Sequence, residues 1–185
     1  MRIAFTGTSS TGKTTLADRI MSDPQYTSWG GTFITANARG LLMELGYKSV
    51  DDMTVSQRRE LQFKYLERKI EREKSETSYF TDRSVIDIAA YWLEYNKLPA
   101  DQYDEFVSRC RSEVARYDIH LYFPAGLIPI EMDGFRSVDM DSHSRVDGHI
   151  QSLLVDWGVR YIPLCEVDIE LRTKSFFSII NGRNS

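Results

Sequence analysis

Cysteine is scarce: the chain has two, Cys110 and Cys165, far apart and without metal-ligand spacing. Both fall in apolar patterns, so two buried, reduced thiols are expected rather than a disulfide framework or a thiolate metal site. Histidine is nearly as rare. His120 alternates within a strand-like run, and His143 and His149 stand six apart with no third ligand, which leaves none of the three for a metal or for catalysis. No apolar run approaches the roughly 20 residues that span a bilayer, and the first residues read as a strand rather than a basic and apolar signal segment. A cytoplasmic protein with no membrane partner is expected. Positive charge is not in excess either. With 23 Lys and Arg against 27 Asp and Glu, the net charge of −4 argues against a generally basic surface wrapped around nucleic acid, while a local basic patch stays compatible with it. Repeats, low-complexity tracts and linker-like stretches are missing too, so nothing splits residues 1–185 into more than one domain. What is present is a hydrophobic content of 42%, enough for one substantial core, in a composition that suits a small-molecule partner.

Short apolar runs alternate with longer amphipathic ones, the pattern of parallel strands joined by helices on both faces of a sheet, an α/β fold. Strands are expected at residues 2–6, 32–34, 79–81, 119–123 and 160–164. Helices are expected from Lys13 to about Ser22, from Asn37 to about Leu45, from Ser56 to Lys74, from Val85 through Trp92, from Phe106 to Val114, from Val146 to Trp157 and from Asp168 to Ile180. A Gly-rich loop separates the first helix from the second strand, and Gly46 stands where a left-handed cap closes a helix. In the segment from Ser56 to Lys74, Phe63, Leu66 and Ile70 form a narrow apolar seam. Its many charges read as a solvated face, with a basic substrate-facing patch as the alternative. From Glu131 to Asp147, many acids, two arginines and weak periodicity indicate a loop or lid rather than core.

The most informative stretch is G-T-S-S-T-G-K-T-T, Gly7 to Thr15. It fits G-x-x-x-x-G-K-[ST] at Gly7, Gly12, Lys13 and Thr14, with a strand before it and a helix after. Successive backbone N–H groups of such a loop make a concave anion site at the positive end of a helix. Gly7, Ser9, Ser10, Thr11, Gly12, Lys13, Thr14 and Thr15 are therefore the candidate cradle for the phosphates of ATP. Lys13 would reach the terminal phosphates, and the Thr14 hydroxyl would serve Mg2+. Phosphate binding alone does not name the reaction. A guanine-specific switch would carry Asn-Lys-x-Asp, whereas Asn96-Lys97 runs on into Leu98-Pro99. A hydrolytic assembly ATPase would carry an acidic pair at a strand end, where this chain has Asp82-Arg83-Ser84.

An aspartate at the carboxyl end of a strand beside the phosphate loop lies where ligands gather in open parallel sheets. There Asp82 can hold Mg2+ through water or accept the proton of an attacking hydroxyl. Arg83 offers a planar donor fork to phosphate oxygens. The structural alternative is that Asp82 caps the next helix and Arg83 extends to solvent.

Together with A-N-A-R-G-L-L (Ala36 to Leu42), Y-F-T-D-R-S-V-I-D-I-A-A-Y (Tyr79 to Tyr91) and I-P-I-E-M-D-G-F-R-S (Ile128 to Ser137), these motifs resemble the P-loop kinases of the ribosylnicotinamide kinase group, akin to deoxynucleoside and thymidylate kinases. The similarity spans nearly the whole chain. It implies a P-loop NTPase fold, with a parallel five-stranded sheet flanked by helices and a mobile lid over about residues 128–147. It further implies ATP with Mg2+ as donor and, as acceptor, a hydroxyl or phosphate on a nucleoside- or nucleotide-like compound. The same resemblance makes Asp82 and Arg83 reaction-centre residues and Arg136 a lid arginine that reaches the phosphates.

One departure matters. These kinases often place a glutamate shortly before the arginine that matches Arg39, and this chain has Thr35, Ala36 and Asn37 there. Proton acceptance shifts towards Asp82, and Arg39 is left either to bind an acceptor phosphate or to form a surface ion pair. Asp133-Gly134 fits a tight turn ahead of Arg136, and Arg145 is a second candidate for phosphate contact. Asp133, Asp139 and Asp141 lack the spacing of a calcium loop and read as solvated lid charges. Trp92 belongs to an apolar stripe, which leaves Tyr91 or Tyr95 to stack on an acceptor base. Two other readings stay open. One is a hydroxymethylated pyrimidine within DNA as acceptor, the substrate of some compact phage kinases, met by Arg58, Arg59, Arg109, Arg111 and Arg116. The other is a non-catalytic ATP-binding regulator. The oligomeric state is open as well.

Overall fold

The computed structural model describes residues 1–99, 101–129 and 140–182. A strand at Arg2–Thr6 (β1) runs into the Gly7–Gly12 loop and then a helix at Lys13–Met21 (α1). Next come a short helix at Pro24–Trp29 (α2), a strand at Thr32–Ile34 (β2), a helix at Ala38–Glu44 (α3), a 3-10 turn at Val50–Asp52 and the long helix Val55–Lys74 (α4). Strand Tyr79–Asp82 (β3) leads to helices Val85–Asn96 (α5) and Glu105–Glu113 (α6), then a 3-10 turn at Val114–Arg116 and strand Ile119–Tyr122 (β4). Helix Met140–Asp156 (α7), strand Tyr161–Pro163 (β5) and helix Ile169–Asn181 (α8) complete the described chain.

All five strands are parallel, in the order β2-β3-β1-β4-β5. The order puts β1 at the centre, and the register pairs Phe5 with Asp82 and Thr6 with Tyr122. The carboxyl ends of β3 and β4 therefore flank the start of the Gly7–Gly12 loop, as the α/β pattern of the sequence requires.

Alternation along each strand feeds two cores. Ile3, Phe5, Phe80, Ile119 and Leu121 pack with Leu16 and Ile20 of α1 and Phe176 of α8. Ala4, Tyr79 and Tyr122 turn to the other face, towards α3, α4, α5, α6 and α7. Local signals account for most boundaries. Thr54 and Gln57 form a reciprocal capping box at the start of α4, and Gly46, with φ +82, takes the left-handed position after α3.

Four expectations change. The Gly-rich loop contains α2, which Asp23 caps by accepting Gln25 N–H, with Pro24 in the first turn and left-handed Gly30 closing it. The charges of α4 are not all solvated: Lys69 and Glu73 are fully buried as an ion pair at 2.7 Å. Cys110 is buried as expected, but Cys165 is exposed, because it lies beyond β5 in the segment leading to α8. Finally, α7 begins at Met140 rather than Val146. Its inward residue ahead of Val146, His143, is polar, which concealed the helical period there; Asp147, just past Val146, accepts the Tyr122 hydroxyl at 2.9 Å. The lid motif from Glu131 to Phe135, with Arg136, lies outside the described residues. Among the described residues no helix is long and apolar enough to cross a membrane.

Candidate active site

The Gly7–Gly12 loop is shaped by contacts that only glycine permits at its two ends. A Cβ on Gly7 would come within 2.6 Å of the Phe123 carbonyl oxygen, and Gly12 is left-handed at φ +83 with Arg172 Nη1 2.7 Å from where its Cβ would stand. Ser10 is also left-handed, at φ 59. Lys13, at the first turn of α1, folds back over the loop: Nζ donates to the Thr8 carbonyl and to Thr11 Oγ1 at 2.9 Å. Burial, with the Arg83 guanidinium next in effect, brings its ammonium down to about 8. Among the described residues Lys13 makes no direct ion pair, although Asp87 and Asp82 lie near enough to favour its charge. An incoming phosphate would supply a direct counter-anion.

Asp82 ends β3 beside the loop, half-buried, and its carboxylate accepts no hydrogen bond from the described residues. It does not cap α5. Ser84 does, accepting Ile86 N–H at 3.1 Å and Asp87 N–H at 3.4 Å, while Asp87 returns the bond by accepting Ser84 N–H at 2.7 Å. Asp87 also accepts Gly7 N–H at 2.8 Å, which ties the entry of the loop to the start of α5. Behind this contact runs a buried chain: Thr6 Oγ1 donates to Ser84 Oγ at 3.0 Å, Ser84 Oγ donates to Asp87, and His120 Nδ1 lies 2.9 Å from Thr6 Oγ1. If the Thr6 hydroxyl proton goes to Ser84, His120 Nδ1 must be the donor to Thr6. Burial, with Lys69 nearby, lowers His120 to about 3, so its ring is neutral.

Arg83 has φ 64, a conformation that costs a non-glycine residue about 1–2 kcal/mol, and its guanidinium carbon sits 4.9 Å from the centre of the Tyr91 ring. Tyr91 in turn accepts Ser9 N–H at 3.2 Å and lies 3.4 Å from Thr8 Oγ1. Burial would raise its phenol, but Arg83, the hydrogen bonds to Thr8 and Ser9, and Lys13 outweigh that and bring it to about 8. Arg39, on α3, is exposed at the rim, and Tyr95 stands 5.7 Å from Tyr91, ring centre to ring centre. All these side chains, with Thr14 and Thr15, line one cleft of about 880 Å³. Beyond Asp82 its wall is largely apolar, with Leu42, Val50, Leu61, Tyr65 and Ile88.

Sequence reasoning gave no role at the loop to four residues that the fold brings here. Asp87 was legible as the fourth position of Ser-x-x-Asp, a capping box. His143 of α7 approaches Thr8 Oγ1 at 3.4 Å and Ser9 Oγ at 3.3 Å. Arg172 of α8 donates to the Thr11 carbonyl at 2.9 Å, and its Nη2 is buried without a partner among the described residues. Lys69 reaches Thr81 Oγ1 at 2.7 Å and the Asp82 carbonyl at 3.4 Å. Neither His143, Arg172 nor Lys69 has a local sequence signal. Several other candidates lie elsewhere. Arg145 is engaged by Glu94, with Nη2 at 2.9 Å, and Trp92 stacks on Phe106 at 4.1 Å. Arg58 donates to the Val50 carbonyl, Arg59 to Asn96, and Arg109 and Arg116 pair with Glu67 and Glu113.

The donor set fits a divalent ion held beside phosphates. Thr14 is exposed at the mouth of the loop, and Asp82 lines the same cleft. Among the described residues no group of three His, Cys, Asp or Glu side chains would hold an ion alone. Phosphate oxygens and water would therefore supply most ligands, the arrangement Mg2+ favours.

A family model for an AAA domain matches residues 2–172. The chain belongs to that family. Among solved structures, deoxyadenosine kinase from M. mycoides with bound dATP is similar over 100% of both chains, with a TM-score of 0.64 and 14% identity. The NadR protein in complex with NR gives 0.60 at 21% identity over 90% of this chain, which spans only 46% of that one. Thymidylate kinase from Candida albicans gives 0.58 at 14% identity over 99% of this chain and 92% of the other. At these identities the likeness is one of fold, the α/β P-loop NTPase fold. Among curated proteins no match was found.

Proposed function

We propose that this AAA-family chain is a kinase that moves the γ-phosphoryl group of ATP to a hydroxyl of a nucleoside-like acceptor. One observation carries the reading: a single cleft of about 880 Å³ joins the phosphate loop to Asp82 and Arg83 and also has an apolar wall of Leu42, Leu61, Tyr65 and Ile88. The similarity in fold to nucleoside and nucleotide kinases supports it. Gly7 to Thr15 and Lys13 hold the donor phosphates, while Thr14 and Asp82 would hold Mg2+, which when bound would supply positive charge to offset that of the phosphates. Asp82 takes the proton from the acceptor hydroxyl as its oxygen bonds to the γ-phosphorus and the bond to ADP breaks. Arg83, and Arg136 from the lid, offset the charge that moves onto the phosphoryl oxygens. Arg39 and the tyrosine pair contact the acceptor.

The test is transfer of labelled γ-phosphate from MgATP to three sets: free nucleosides including nicotinamide riboside, nucleoside monophosphates, and DNA carrying hydroxymethyl pyrimidines. Label on the first set is expected, and Lys13→Ala should reduce it about a hundredfold or more with the fold intact; label on the second set would make a phosphate rather than a hydroxyl the acceptor. Label on DNA alone replaces the acceptor. ATP binding without label on any set overturns the kinase reading in favour of a nucleotide sensor.

A further inference from the structure

The donor and acceptor halves of the cleft meet at one side chain. Ile88, Tyr91 and Tyr95, spaced three and four residues apart on α5, face the cleft together, and Tyr91 is the member that reaches the phosphate loop. Its hydroxyl accepts the Ser9 N–H, and its ring carries the Arg83 guanidinium, which the left-handed backbone at that residue aims inward. Arg83 Nη1 is buried there with no partner among the described residues. The Ser9 amide thus meets the Tyr91 hydroxyl while the Arg83 guanidinium lies over its ring, so that two donors flank one phenol.

A neutral hydroxyl is the weaker acceptor for that amide. An anionic phosphoryl oxygen makes bonds roughly twice as strong, so a bound triphosphate would displace the phenol as acceptor and leave its O–H free to donate. A transferase faces a second requirement. Water is a small nucleophile at high concentration, and it must be kept from the γ-phosphorus until the acceptor arrives. An aromatic ring with a guanidinium on its face, set between the loop and the acceptor pocket, does this by occupying the space water would use.

We propose that Tyr91 contacts the transferred phosphoryl group and, with Arg83 on its ring, bars water from it, so that the acceptor hydroxyl rather than water is the nucleophile. The suppressed reaction is attack of water on the γ-phosphorus, with cleavage of its bond to ADP and release of inorganic phosphate. The inference rests on the phosphotransferase reading, but its test needs no acceptor.

Phosphate release from MgATP without acceptor is measured for the wild type, Tyr91→Phe and Tyr91→Ala, each checked by thermal melting. Affinities for ADP and for β,γ-imido-ATP are measured alongside. Tyr91→Ala is expected to raise hydrolysis about tenfold, and Tyr91→Phe to lower the preference for the triphosphate analogue over ADP about tenfold, the worth of one good hydrogen bond. Hydrolysis that stays level or falls in Tyr91→Ala, or an unchanged preference in Tyr91→Phe, overturns the inference. Should Tyr91→Ala not fold, Tyr91→Phe decides alone. A wild type that binds ATP yet phosphorylates no acceptor defeats the kinase reading separately, since the Tyr91 comparison is read from hydrolysis and binding.

Discussion

The two faces of the sheet are built by alternate residues of the same strands, yet they hold different chemistry. Towards α1 and α8 the face is dry: Phe5, Phe80, Phe123 and Phe176 pack ring against ring, joined by Trp29 and Phe33, with Phe33 and Phe80 stacked at 4.8 Å. Towards α4, α5 and α7 the same strands present Thr6, Thr81 and His120, all fully buried, to Lys69, Glu73, Ser84 and Asp87. Buried polar groups rarely add net stability over apolar packing of the same shape, so the second face is not explained by folding energy alone. It lies behind the proposed reaction centre. Through Lys69 it holds the carbonyl of Asp82, and through Asp87 it holds the first amide of the phosphate loop. One face supplies cohesion and the other supplies position.

Three experiments would break or sharpen that contrast. Phe80→Ala removes the centre of the aromatic cluster and should cost near the upper end of roughly 3–5 kcal/mol by denaturant unfolding. Turnover assayed well below its melting point should survive, and a loss of kcat there would mean that the dry face also positions the site. Lys69→Met leaves Glu73 buried without its cation, a loss of about 3 kcal/mol or more. The double variant Lys69→Met with Glu73→Leu should regain most of that stability and yet keep a lowered kcat, because the Asp82 carbonyl has lost its support. Recovery of both would make the pair purely structural. The smallest effect concerns pH. His120 is held near 3, below its ordinary 6.5, so the folded state binds fewer protons than the unfolded one between those values. Its contribution is fully present above about pH 6.5 and is lost as pH falls towards 3, on the order of 2 kcal/mol by pH 5. His120→Asn should flatten that acid limb in melting curves, and an unaltered limb would place the acid sensitivity elsewhere.

Legibility followed the range of the interactions involved. The strands and most helices show in the sequence because alternation and capping act over two to four residues, as at Thr54-Gln57 and Gly46. The beginning of α7 did not show, since His143, its inward residue ahead of Val146, is polar for a reason that lies across the fold. Lys69 and Glu73 read as surface charges because one residue's burial is invisible without the partner that neutralises it. Asp82 as a cap was a reasonable local alternative, and Ser84 with Asp87 displaced it through a reciprocal bond that was legible in S-V-I-D.

The sequence by itself determined the candidate phosphate loop. A site of this kind is made by the amides of one contiguous loop, and the glycines that allow its path stand at a set spacing, so nine residues suffice to point to it. Only the tertiary structure decided what surrounds that loop. Asp87, Tyr91, His143 and Arg172 meet it from 80, 83, 135 and 161 residues away. Their convergence depends on how α5, α7 and α8 pack over the sheet, a geometry that no short pattern of residues encodes.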